Sequence, residues 1–183
     1  MNFHGVAAEE AARVAFIAVT VMLRPMRSDE FPAFEAESKS GYARDLSENG
    51  GVDPGAATTK AESDFARLLP DGVASAGQFL FVIEDELGAA KGTLWFADEE
   101  RNGRRCAFLY DIRINEDSRG QGIGRLAMQQ LERAASARGL HSIELNAFGG
   151  NTVARSLYRS LGYAETFVGM SKELPGATSE AGR

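Results

Sequence analysis

A run of alternating glycines, Arg119-Gly120-Gln121-Gly122-Ile123-Gly124, constrains this chain more than any other feature. It follows a strand-like stretch, Ala107 to Ile114, and opens a segment in which Ile123, Ala127, Leu131 and Ala134 recur at helical spacing. A strand turning through bare glycines into an amphipathic helix implies a sheet with helices packed on it. Glycine permits the tight turn and leaves the N–H groups unshielded by side chains. Those amides point outward at a helix N-terminus, whose partial positive charge favours an anion. Arg119 and Arg125 set a forked cation at each end of the turn. The chemical reading is a pyrophosphate site, although glycine content alone fits a merely flexible turn about as well.

Gly122 through Ala127 also satisfies the G-x-G-x-x-G/A dinucleotide pattern, with Glu144 lying 20 residues beyond Gly124. Only about 36 residues remain after the strand that follows, too few for the rest of a doubly wound sheet. The pattern also comes late, after an antiparallel run. A dinucleotide module is therefore the weaker reading.

A second signal is Asn151-Thr-Val-Ala154-Arg155-Ser-Leu157-Tyr158-Arg-Ser-Leu161-Gly162-Tyr163. Asn151 and Tyr158 are seven residues apart and share one helix face, with small Ala154 between them. Val153, Leu157 and Leu161 form the stripe expected to enter the core. A polar face with a low middle suits a ligand lying along the helix. Taken singly, Asn151 reads as an N-cap and Tyr158 as an amphipathic residue at the rim.

Composition excludes several classes. With 183 residues and 44% apolar content, the chain can bury one sizeable core. Cys106 is the single cysteine, which rules out a disulfide scaffold and makes the cytoplasm the expected compartment. His4 and His141 are the only histidines, so no metal site is expected. The net charge of −6 argues against general nucleic-acid binding. It is unevenly placed: residues 1–100 carry 8 basic and 18 acidic side chains, whereas 101–170 carry 10 basic, all Arg, and 6 acidic. An anion would settle in the second half. Val14 to Leu23 is apolar over ten residues, too short to span a bilayer. It follows Glu9 and Glu10 and precedes no small-x-small site, the wrong setting for a secretory signal.

Residues 1–18 read as a leader, with a short helix around Ala7–Phe16. A strand over 19–25 precedes a helix capped by Ser28, and a second helix covers 57–69. Strands follow at 79–83, 92–96 and 107–114, with a hairpin turn at Asn102-Gly103. The glycine-turn helix ends at Gly139, a strand covers 142–147, the Asn151 helix follows, and a last strand spans 163–173. The domain is thus 19–174, with a tail at 175–183. The order gives one α/β (mixed α+β) sheet with helices on its faces and a parallel crossover between 107–114 and 142–147.

The strand, the R-G-x-G-I-G turn, the helix, the strand and the N-x-x-A-R-x-L-Y-x-x-L-G-Y helix closely resemble, in this order and spacing, the GNAT superfamily of N-acetyltransferases. The resemblance covers roughly residues 78–174. It implies a mostly antiparallel sheet with a splayed parallel strand pair, and acetyl-CoA as co-substrate. By that resemblance the backbone of Arg119, Gly120, Gln121, Gly122, Ile123 and Gly124, with Arg125, holds the pyrophosphate. The pantetheine arm lies between the splayed strands against Ile112, Arg113 and Ile114, and meets Asn151. Tyr158 matches the residue that protonates the departing thiolate, as acetyl passes directly to a primary amine.

The base departs from the family pattern. Some branches carry a Glu on the strand before the Asn helix, where this chain has Asn146, which cannot take a proton. Asp111 is the nearest titratable group on the preceding strand, and Glu84 ends another; a structural ion pair is an equally good reading of Asp111. The expected acceptor is a small-molecule or peptide amine. A cation would be favoured, because 28–71, where such enzymes build the acceptor cleft, holds 10 acidic and 4 basic side chains. No nucleic acid or membrane is expected as partner, and a homodimer is left open. The alternative of another class is a non-catalytic acyl-CoA-binding or sensor domain on the same scaffold.

Overall fold

The structure, a computed structural model, describes residues 19–172. The expected leader over 1–18, with its helix at Ala7–Phe16, and the tail over 175–183 lie outside the described residues.

Five strands form one sheet in chain order: β1 (Val21–Pro25), β2 (Gln78–Asp85), β3 (Ala90–Arg101), β4 (Arg104–Ile114) and β5 (Ile143–Leu145). The first four run antiparallel, and β5 lies parallel to β4. Between β1 and β2 run the helices α1 (Phe31–Gly50) and α2 (Pro54–Leu68); α3 (Ile123–Ala137) crosses from β4 to β5, and α4 (Thr152–Ser160) follows β5. The β3–β4 hairpin turns on Asn102 and Gly103, both at positive φ, the geometry that suits the right-handed twist of its strands.

The two faces of the sheet are covered by different helices. One face packs Leu80, Val82 and Trp95 against Phe34 of α1 and Phe65 of α2. The Trp95 ring is 5.3 Å from Phe65, edge-on to Phe34 at 6.2 Å and stacked on Tyr110 at 4.5 Å. Each such aromatic buries enough apolar surface for about 2–3 kcal/mol. The other face carries Ile83, Leu94, Phe96 and Leu109 against Ile123, Ala127, Met128 and Leu131 of α3, with Leu157, Tyr158 and Leu161 of α4 at its margin.

Several expectations need correction. Ser28 does not cap α1: Glu30 holds that position without a side-chain cap bond, and its carboxylate accepts instead from the Arg27 amide and from Arg24. Ion pairing to β1 outcompeted local capping. The second helix starts three residues early because Asp53 caps it, accepting from the amides of Gly55 and Ala56. Val153 is not in the core but 82% exposed; nothing packs over the first turn of α4, so its spacing found no partner surface. No strand forms within 163–172. Phe167 and Met170 stand almost fully exposed there, while Glu165 is tethered by Arg155 and Arg159 of α4.

Candidate active site

The site begins with a bulge in β4. Trp95 faces Asp111 and Phe96 faces Leu109, so Tyr110 is an extra residue in the ladder. Without it Asp111 would follow Leu109 onto the α3 face; with it Tyr110 and Asp111 both turn toward α1 and α2, and Ile112 and Ile114 turn toward α3. The bulge also sets the backbone. Asn115 donates its amide to the Lys91 carbonyl at 2.9 Å, so in an antiparallel ladder Arg113 bonds β3 as well. Ile112 and Ile114 then direct their N–H and C=O groups to the other side. There the Ala107 amide still donates to Ser142, but the parallel pairing ends at Leu109 opposite Leu145. Ile112 and Ile114 therefore face a gap between β4 and the end of β5.

The glycine turn closes one end of that gap. Gly120 and Gly122 have φ of +74° and +79°, a region only glycine enters without strain. A Cβ at either would meet nothing within 4 Å, so the surface above them is open. Gly124 serves packing instead: a Cβ there would lie 3.3 Å from Leu157 of α4 and 3.8 Å from Ile114. Gly122 caps α3 with no side-chain bond, and the first bond of the helix is Leu126 N–H to the Gly122 carbonyl. Among the described residues, the amides from Gly120 through Arg125 donate to no protein acceptor. The side chains around them are otherwise engaged. Arg119 donates to the Ile114 carbonyl at 3.1 Å and pairs with Glu116, Gln121 donates to the Asp117 carbonyl, and Ile123 is buried. Arg125 donates to the Ser160 hydroxyl at 2.6 Å. The turn thus offers backbone donors, and its two arginines brace the neighbouring elements.

Asn151 is an N-cap here, its side-chain oxygen accepting from the Ala154 amide at 3.0 Å. Seven residues on, Tyr158 is half-buried, its ring 5.8 Å from that of Tyr163. Burial, reinforced by the nearby Asp111 carboxylate, raises the Tyr158 phenol to a pKa of about 12. Tyr158 and Asp111 approach from opposite faces, across the sheet where β5 has ended.

Asp111 keeps a quarter of its side chain exposed. Its Oδ2 accepts from the hydroxyl of Ser38 on α1 at 2.7 Å and lies 3.9 Å from the Arg113 guanidinium. Burial pushes its pKa above the ordinary carboxylate value, while the Ser38 bond, Arg113 and the Ile112 amide pull it down and Asp45 of α1 pushes it up. Arg113 crosses α1 at Gly41, donating to the Glu37 carbonyl at 3.0 Å and to the Glu37 carboxylate. Ser38 and Asp45 were not singled out from the sequence. Their signal was available: both sit at helical spacing from buried Phe34, on a face that should be apolar. Glu84, the other carboxylate considered, is bound to Arg24 at 2.7 Å in the network joining β1, β2 and α1. Asn146 is exposed beyond the end of β5.

Residues 41–163 match the family model described as the acetyltransferase (GNAT) family. The chain is 32% identical over 156 residues to the uncharacterised N-acetyltransferase YycN of Bacillus subtilis, covering 85% of this chain and all of that one. The chain belongs to the GNAT family. It is an N-acetyltransferase. The crystal structure of YycN superposes with a TM-score of 0.80 over 85% of this chain and 99% of that chain. A second Bacillus subtilis relative, the uncharacterised N-acetyltransferase YdgE, is 30% identical over 83% of this chain and 97% of its own length. The L-methionine sulfoximine/L-methionine sulfone acetyltransferase of Pseudomonas paraeruginosa is 28% identical over 62% of this chain and 63% of its own. The expected mixed sheet, antiparallel with one parallel pair and helices on both faces, is the fold observed.

Proposed function

We propose that this GNAT enzyme transfers acetyl from acetyl-CoA directly to a primary amine, with Asp111 taking the ammonium proton and Tyr158 protonating the departing thiolate. The observation that carries the reading is the row of unpartnered amides from Gly120 to Arg125 at the mouth of the β4–β5 gap. Backbone donors at a helix N-terminus, with open surface over Gly120 and Gly122, fit a diphosphate. The co-substrate supplies the activated acyl group; the chain supplies the rest. Ile112 and Ile114 line the gap with backbone groups that no strand pairs, the Ile114 carbonyl being held by Arg119, and an extended amide-containing arm pairs there as a strand would. Asn151 borders that arm while capping α4.

Asp111 removes a proton from the acceptor ammonium, leaving a lone pair to form the C–N bond. A carboxylate held above its ordinary pKa suits that work better than a surface one. Tyr158 gives its hydroxyl proton to the sulfur as the C–S bond breaks, and the second proton shed by nitrogen restores the phenol. With a pKa of about 12, Tyr158 stays protonated throughout the working range.

The acceptor is read as a cation from the charges on α1 and α2. Glu35 is neutralised by Lys39 and Asp64 by Lys60 and Arg67, whereas no basic side chain lies within ion-pair distance of Asp45 among the described residues. Asp45 and Asp111 together favour an ammonium at the α1 side of the gap. A panel of amines assayed with acetyl-CoA, reading released thiol, tests both points. The expected result is turnover, faster for cationic than for anionic acceptors. Preference for an anionic amine overturns the acceptor class, and no thiol release with any amine overturns the reading.

A further inference from the structure

We propose that Ser38 is a positioning residue for Asp111, an inference that rests on Asp111 acting as the base. Ser38 is 3% exposed and one of three buried polar side chains among the described residues. The other two serve loops: Ser75 accepts from the Asp71 amide, and Ser118 donates to Asp117 beside it. Ser38 stands one turn after buried Phe34, where the sheet-facing side of α1 calls for an apolar residue, and its hydroxyl spans 73 residues of sequence to reach Asp111. A buried hydroxyl in such a position is costly unless bonded. Here the bond goes to the one carboxylate that the β4 bulge aims at α1.

The geometry divides the carboxylate. Oδ2 accepts from Ser38 and lies toward Arg113, while Oδ1 has no side-chain partner among the described residues. Ser38 fixes the rotation of the carboxylate about its stem and leaves the second oxygen for the amine. It also favours the charged form. The groups facing Asp111 are Arg113 on its own strand, Asp45 from α1 and Tyr158 from α4, with Glu37 reaching it through Arg113. Asp45 opposes ionisation, Arg113 and the Ile112 amide support it, and Ser38 is the strongest of the groups that favour the charge. Removing the hydroxyl leaves burial and Asp45 less opposed, so the proton is held more tightly.

The test is the pH dependence of kcat/KM for the amine in Ser38→Ala, Ser38→Thr and Asp111→Asn. Asp111→Asn is expected to lose roughly a hundredfold in kcat or more, together with the acid limb of the profile. Ser38→Ala should shift that limb to higher pH by about one unit, which lowers kcat/KM about tenfold on the acid side of the limb, with KM for acetyl-CoA unchanged. Ser38→Thr, which keeps the donor, should restore the wild-type limb. Should the alanine protein not fold, Ser38→Cys keeps the volume with a weaker donor and should show an intermediate shift. If Asp111→Asn collapses the rate while the Ser38 variants superimpose on the wild-type profile, the positioning role is overturned and the base stands. If Asp111→Asn keeps both rate and limb, the base itself is overturned.

Discussion

Tyr158 shows how a residue's setting decides its chemistry. A surface tyrosine would begin to ionise near pH 10; this one, held among α3 and α4 core residues with a carboxylate nearby, remains an acid to about 12. Tyr158→Phe should therefore lower kcat about a hundredfold while KM for acetyl-CoA stays within about twofold, read from initial rates. Wild-type rates should also show no alkaline decline from this phenol below pH 10. An unchanged kcat in the phenylalanine variant would remove Tyr158 from the reaction. Legibility at this scale was mixed. Tyr158 and the glycines announce themselves through type and spacing, whereas Asn151 fits both a cap and a ligand contact, and the structure shows the cap. Ser38 is a common residue whose meaning appears only when α1 is laid on β4.

Among elements, the β1–α1 junction is held by charge. Arg24 of β1 bonds Glu30 before α1 and Glu84 of β2, and the bond from Arg24 holds the Glu30 carboxyl down at about 2, against an ordinary 4.5. A carboxyl depressed by folding contributes stability above its unfolded pKa and loses it as pH falls toward the folded one. Glu30→Gln should thus cost about 2 kcal/mol at pH 7, and the gap to wild type should narrow markedly by pH 3, measured by denaturant unfolding. A gap equally wide at both pH values would contradict the pairing. The β3–β4 ladder depends on steric room. A Cβ at Gly92 would collide with the backbone carbonyl of Arg113, a neighbour that cannot rotate away. Gly92→Ala should lose about 3 kcal/mol and disturb the Ile112–Ile114 edge, lowering acetyl-CoA affinity along with the melting temperature. An alanine variant as stable as wild type would show that the strands separate freely. Elements with strong local signals, such as the Asn102-Gly103 hairpin and the Ile123–Ala134 stripe, were readable in advance. The missing strand at 163–172 was not, because strand-like composition cannot say whether an edge will receive it.

Across the molecule, the site is a consequence of topology. An antiparallel run ending in one parallel pair, with β5 only three residues long, leaves β4 a free edge beyond Leu109. The Tyr110 bulge sends Asp111 to one face while α3 and α4 close on the other. The family match to 41–163 and the superposition on YycN agree with that fold. Motif order carried the family from sequence alone because each motif belongs to a different element of one sheet. The bulge stayed hidden, since an extra residue in a strand leaves no mark in composition. The proposed site depends above all on the bare amides after Arg119 holding a diphosphate. Calorimetric titration of CoA into wild type and Gly122→Asp tests it most directly. Open space around Gly122 means that the aspartate costs only local backbone strain, about 1–3 kcal/mol, and leaves the domain folded. CoA affinity is expected to fall at least about a hundredfold in that variant, with pantetheine, which lacks the diphosphate, bound weakly and alike by both proteins. CoA bound equally tightly by a folded Gly122→Asp protein would contradict it.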